Sequence, residues 1–303
     1  MQHRSLPAVT VSAEVGGLGN RIKSWVSVMR SEGEYRVHWP VNKYMPASFS
    51  HLFLNECDIA EIPSGANVYK SWRLQILPQD IEYLPQGFAT VGAGPHPVIR
   101  AAAKAWWNAT GRKSDRYDFM LFPKYHSRKI TRADARHIDL EYGRIPVYFR
   151  DLYAPLFRKI RVRQKIMDAA DAWSSGNPGN NTIGVQVRTW RDEPRRYRKY
   201  HKPAMKRLRR LMQQAESNCQ FLVVSDSDDI VPQLEAEFGS DRILCYPRKT
   251  SRNGSWQSVE GVTEDLVDMI LLSRCDRLFA SYLSTFSETA WWLGGAKADV
   301  SVF

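Results

Sequence analysis

The chain has 303 residues, 43% hydrophobic and 25% charged, with 18 glycines and 16 prolines. That composition excludes a disordered, collagen-like or repetitive protein and gives enough length for two domains. A net charge of +11 predicts an anionic partner, whether nucleic acid, lipid surface or phosphorylated substrate, without choosing among them.

In chain order, "AVTVSAEV" (8–15) is an apolar strand pattern followed by "GGLG" and then by "NRIKSWVSVMRSEG", in which Ile22, Trp25, Val26 and Met29 recur at helical spacing. "YRVHWP" (35–40) predicts a second strand, so the chain opens on a βαβ unit. From 41 to 150 prolines interrupt the pattern, and only "HPVIRAAAKAWWNATG" predicts a helix, ending at Gly111. Residues 153–176 read as one helix with basic residues among its apolar ones, and the polar stretch 174–181 as a linker.

Beyond the linker, strands and helices alternate. Strands are predicted at 182–190, 219–229, 241–247 and 277–286, and helices at 203–217, 231–239, 263–276 and 287–295. This is the pattern of a doubly wound parallel sheet, with ligands expected at the carboxyl ends of its strands, where Arg188, Asp226 and Ser284 fall. The expected domains are 1–173 and 182–303.

Four dispersed cysteines, Cys57, Cys219, Cys245 and Cys275, form no C-x-x-C pair and read as buried free thiols. No apolar run approaches a membrane span and "MQHRSLPAVTVSAEV" lacks a signal-peptide core, so a cytoplasmic protein, or one trimmed of its anchor, is expected.

The strand ends suggest a nucleotide-diphosphate pocket. An arginine fork (Arg188) binds phosphate bidentately, the hydroxyls of "SYLSTFSE" (281–288) and helix N–H groups satisfy further oxygens, and a carboxylate (Asp226, Asp268) accepts from a guanine edge. A strand-end salt bridge is the alternative reading of Arg188. There is no P-loop and no G-x-G-x-x-G. "SDSDD" (225–229) reads as a turn capping the next helix rather than a metal-binding D-x-D.

Three segments, "GGLGNRI", "IGVQVRTW" and "DMILLSRCDRLFASYLSTFSETAWWLGG", resemble in order the motifs of the GDP-fucose-dependent fucosyltransferase superfamily, which includes the plant cell-wall, α-1,6 and protein O-fucosyltransferases. The plant xyloglucan type is the best local match. The resemblance implies a GT-B-like α/β fold, two Rossmann-like domains facing across a cleft, with a sugar nucleotide and a glycan acceptor as substrates. It also implies inverting, metal-independent transfer of L-fucose from GDP-β-L-fucose, with no cofactor. By position, Arg188 would grip the β-phosphate, Asp268 would contact guanine, and Asp226 lies in the acidic motif. Ser281, Ser284, Thr285 and Phe286 would form the phosphate-proximal segment, and Gly17, Gly19, Asn20 and Arg21 the facing wall. Gln186 stands where many members carry His, as in the plant type. A carboxylate base is out of register: Glu14, Asp192 and Glu193 are candidates, and each also reads as a solvated surface carboxylate.

The basic run 191–211, with Trp190, Tyr197 and Tyr200 interleaved, has three readings: a solvated helix face, a strip that steers anionic substrate or docks at an anionic membrane, and a nucleic-acid strip. The rival functions are a transferase using another GDP-sugar and a non-enzymatic nucleic-acid or anion-binding protein.

Overall fold

The computed structural model describes residues 9–12, 17–29, 35–43, 45–56, 58–59, 69–70, 142, 147–177, 181–191, 193–253, 258–282 and 284–303. Two compact units divide the chain, the first comprising Met1–Pro40 with Glu56–Lys159 and the second Val41–Asn55 with Ile160–Phe303.

In the first unit, β1 (Val9–Ser12), β2 (Tyr35–His38), β3 (Asp58–Ile59) and β4 (Tyr69–Lys70) form a parallel sheet in the order β3-β2-β1-β4. Helix α1 (Leu18–Val28) connects β1 to β2 as the sequence predicts, burying Ile22, Trp25 and Val26. β3 and β4 are two-residue strands in the segment that the sequence leaves unread, too short for a periodic signal. The helix predicted to end at Gly111 lies outside the described residues.

The second unit contains a short helix, α2 (Phe49–Leu52), capped by Ser48. The single helix predicted over 153–176 is two: α3 (Val147–Phe157) in the first unit and α4 (Gln164–Gly176) in the second. The break has a backbone cause. Leu54 N–H donates to the Arg161 carbonyl (2.7 Å) and Arg163 N–H to that of Leu52 (2.9 Å), so 160–163 runs extended against the segment after α2. α4 then packs on α8 (Val259–Ser273), which is why 41–55 and 160–173 group with the second unit.

The main sheet is formed by β5 (Thr182–Val187), β6 (Gln220–Ser225), β7 (Ile243–Leu244), β8 (Arg277–Ala280) and β9 (Asp299–Val302). Every pairing is parallel and the order is β7-β6-β5-β8-β9. β9 is an edge strand that "DVSV" did not signal, because it follows the last helix with no turn residues beyond Gly294-Gly295. Between β5 and β6 come α5 (Pro194–Arg196), a π-helical turn (Tyr197–His201) and α6 (Lys202–Gln214); α7 (Ile230–Phe238) follows β6 and α9 (Thr285–Leu293) follows β8.

One face of the sheet presents Ile183, Val185, Val187, Phe221, Val223 and Phe279 to Met205, Leu208 and Met212 of α6 and to Ile230 and Leu234 of α7. Fully burying side chains of this kind stabilises by roughly 1.5–3 kcal/mol each. On the other face, Gly184 makes room: a Cβ there would come within 2.6 Å of Leu278 and 2.9 Å of Leu272. Gly294 is needed for closer contact still, since its Cβ would stand 2.4 Å from the Ser273 carbonyl at the end of α8. Cys219 is a buried free thiol, whereas Cys245 and Cys275 are free but only partly buried; Cys57 lies outside the described residues.

Candidate active site

The strand order changes direction between β5 and β8, and the crevice at their carboxyl ends is where an open parallel sheet offers ligands its loops and helix N-termini. Arg188 leaves β5 at that point. Its backbone N–H donates to Ser281 Oγ (2.8 Å), and Ser281 Oγ donates to the Gln186 carbonyl (3.0 Å), so a hydroxyl from β8 fixes the exit of β5. Asp226, just past β6, accepts Thr189 N–H at Oδ1 (2.7 Å) and pairs through Oδ2 with Arg188 Nη1 (2.8 Å).

Trp190 completes the setting. It has φ of +57°, unusual for a bulky residue, and this turn lays its indole 5.0 Å from the Arg188 guanidinium and 4.9 Å from that of Arg196. Tyr200 packs against Trp190 at 6.1 Å and against Tyr282 at 6.2 Å, extending an aromatic row from α6's approach to the β8 loop. His201, beneath it, stacks on Tyr197 at 4.9 Å; burial holds its pKa below the usual 6.5, against the upward pull of Asp226 and of a hydrogen bond to the Arg188 backbone.

The Arg188 side chain is 43% exposed. Asp226 occupies one of its terminal nitrogens, and the rest of the fork makes no hydrogen bond to a described residue. So exposed a pair contributes at most about 1 kcal/mol to stability. Its consequence is geometric: a cation aimed from the strand end, with donors left over for an anion. The strand-end ion pair, the alternative reading of Arg188, is present, and the fork makes no second bond to a described residue.

Ser284 is the N-cap of α9, accepting weakly from Ser287 N–H (3.5 Å), and its own N–H donates to the Ser281 carbonyl (3.1 Å). The turn thus joins Ser281 and Ser284, with Thr285 and Phe286 half-buried in the first helical turn. Gln186 is buried on β5, and its Oε1 finds no hydrogen-bond partner among the described residues.

Asp268 behaves differently from the guanine contact expected of it. It is wholly buried in α8, and its Oδ2 receives Arg248 Nη1 (2.7 Å) and Arg252 Nη1 (3.2 Å). Burial pushes its carboxyl up to about 6 against the pull of the two arginines. Arg248 also reaches Asp265 (2.8 Å), while Glu264 accepts Lys249 N–H (2.6 Å) and Thr250 N–H (3.1 Å). Asp268 therefore anchors the loop after β7 and is turned inward. The sequence carries a signal for this: Arg248 and Arg252, four apart, match Asp265 and Asp268 on one helix.

The carboxylates of "SDSDD" brace loops rather than cap α7. Asp229 occupies the N-cap position without a side-chain cap bond, Asp228 accepts Arg252 N–H (2.7 Å) and Ser251 Oγ (2.5 Å), and Asp226 holds Arg188.

Of the base candidates, Glu14 and Asp192 lie outside the described residues. Glu193 is exposed, and Arg196 takes both its oxygens, Nε at 3.1 Å and Nη1 at 3.2 Å. In the first unit, Gly17 caps α1 with an ordinary φ of −78° and open space where a Cβ would be, so no close approach within the chain requires glycine there. Gly19 is buried in the first turn and Asn20 half-buried. Arg21 corrects the expectation that it faces outward. It is fully buried, donating to the Pro40 carbonyl (2.7 Å) and lying 5.4 Å over Trp39.

In α6 the basic run turns Met205, Leu208 and Met212 inward while Lys206 and Arg210 are exposed, the arrangement of a solvated face. Among the described residues no helix is long and apolar enough to cross a membrane.

No family model and no curated protein matches the chain. The solved structures similar to it include the following three. Fucosyltransferase NodZ from Bradyrhizobium is 18% identical over 94% of this chain and 93% of that one, with a TM-score of 0.48. A variant of Arabidopsis thaliana FUT1 in complex with GDP is 15% identical over 99% and 71%, with a TM-score of 0.48. POFUT1 in complex with GDP is 12% identical over 98% and 98%, with a TM-score of 0.46.

Proposed function

We propose that the protein is a glycosyltransferase that moves L-fucose from GDP-β-L-fucose to a glycan hydroxyl, with inversion and without a metal. The observation that carries the reading is Arg188: a half-exposed guanidinium at the switch point of a parallel sheet, held by Asp226 and Trp190 and keeping donors for a diphosphate. Fucose as the sugar rests on the three motifs in the sequence. The GT-B architecture and the donor-wall role of Gly17, Gly19 and Asn20 belong to the same proposal.

As the glycosidic C–O bond breaks, negative charge collects on the β-phosphate of departing GDP. Preorganised donors aimed at that charge are the strongest lever such a site has, and Arg188 is one. The turn that joins Ser281 and Ser284 brings the N-terminus of α9 to the carboxyl end of β8, beside the strand from which Arg188 emerges. Its N–H groups favour an anion. The leaving group is stabilised by fixed charge, so the acceptor hydroxyl loses its proton late, to a weak base, for which Glu14, Asp192 and Glu193 are the candidates, or to solvent. A membrane-peripheral cytoplasmic setting, with an acceptor brought to the basic face, fits the charge of the chain.

The test is hydrolysis or transfer of GDP-fucose by the purified chain in EDTA, with products read by mass spectrometry. Turnover that depends strictly on added Mn²⁺ or Mg²⁺, or none with GDP-fucose beside turnover of another GDP-sugar, would overturn the reading.

A further inference from the structure

We infer that the π-helical turn carries a second oxyanion site, separate from Arg188, which takes a phosphate ester. A surface cavity of about 440 Å³ is lined by Arg191, Pro194, Tyr197, Arg198 and Lys202. Three of the five are cations, and no carboxylate of a described residue lines it. Arg198 and Lys202 are exposed and have no hydrogen-bond or ion-pair partner among the described residues. Arg188 is not part of this lining; its guanidinium is turned to Asp226.

The cavity is held in shape. Lys202 N–H donates to the Tyr197 carbonyl, closing the wide turn, and Tyr197 is stacked on His201 as a fixed wall. Arg191 reaches the Asn253 side chain and carbonyl, and Asn253 Oδ1 accepts Asp228 N–H (3.2 Å). These bonds orient that fork. Arg198 and Lys202 stand four residues apart, a like-charge spacing that an α-helix disfavours and that an anion between them would reverse. π turns of this kind concentrate at functional sites. The volume exceeds that of a bare phosphate and admits the small alcohol or sugar it esterifies.

The site is tested in the Arg188→Ala chain, so that no diphosphate pocket competes and the fucosyl reading is not at stake. Inorganic phosphate is titrated and followed by phosphorus NMR. We expect saturable binding, weakened about tenfold or more by Arg198→Gln/Lys202→Gln and unchanged by Lys206→Gln, a cation outside the cavity. Circular dichroism monitors the fold, and Lys202→Gln alone supplies the same reading should the double variant unfold. Absence of binding to the Arg188→Ala chain, or equal binding by the double and control variants, overturns the site. A second arm identifies the source: vesicles of equal parts phosphatidylcholine and phosphatidic acid retain the chain through these residues if the ester is a lipid headgroup. Phosphate binding without vesicle binding assigns it to a soluble phosphorylated molecule.

Discussion

At the scale of single residues, the site is organised around how one cation is aimed. Asp226 touches Arg188 and the backbone of Thr189 with different oxygens, so removing its charge loosens the guanidinium while the strand stays in place. Asp226→Asn is expected to lower turnover about tenfold and to change stability by less than about 1 kcal/mol. Steady-state kinetics and denaturant titration of the same preparation separate the two. Arg188→Ala removes the donor itself and is expected to cost roughly a hundredfold to a thousandfold in turnover, with an unchanged melting temperature. Arg188 and Ser281 were legible in the sequence because strand ends in a parallel sheet have a known direction. Arg21 and Asp268 were not, because a charged side chain near a motif points outward or inward according to partners distant in sequence, Trp39 and Pro40 in one case, Arg248 and Arg252 in the other.

At the scale of elements, close approach and burial decide what each segment tolerates. Gly294 sits against the Ser273 carbonyl at the end of α8, and backbone cannot yield as a side chain does. Gly294→Ala is expected to destabilise by about 1–3 kcal/mol, read as a lower urea midpoint, whereas Gly17→Ala at the open cap of α1 should change it little. The π turn adds a pH dependence. His201 is kept neutral by burial in the folded chain, so the unfolded chain binds the proton more readily and stability falls as pH drops through about 6.5. His201→Gln should flatten that part of a melting-temperature profile measured from pH 8 to 5. Helices and strands of the second sheet were legible by period, whereas the break between α3 and α4 was not. It is imposed by hydrogen bonds to residues more than a hundred positions earlier, which local periodicity does not encode.

For the whole molecule, two parallel sheets account for most of the predicted alternation. Arg191, Arg198 and Lys202 line a cavity, Arg188 and Arg196 share an indole, and Arg209 is neutralised by Glu237 at 2.5 Å. The charge read as a single basic strip therefore resolves into separate tasks, which composition alone could not distinguish.

The central claim is that Arg188 at the switch point of the second sheet receives the diphosphate of GDP-fucose. Calorimetric titration of GDP-fucose in EDTA into the wild-type and Arg188→Ala chains tests it most directly. Saturable binding by the wild type, weakened about tenfold or more in the variant, is the predicted result. Equal affinity in the two chains, or no binding by the wild type, would contradict it.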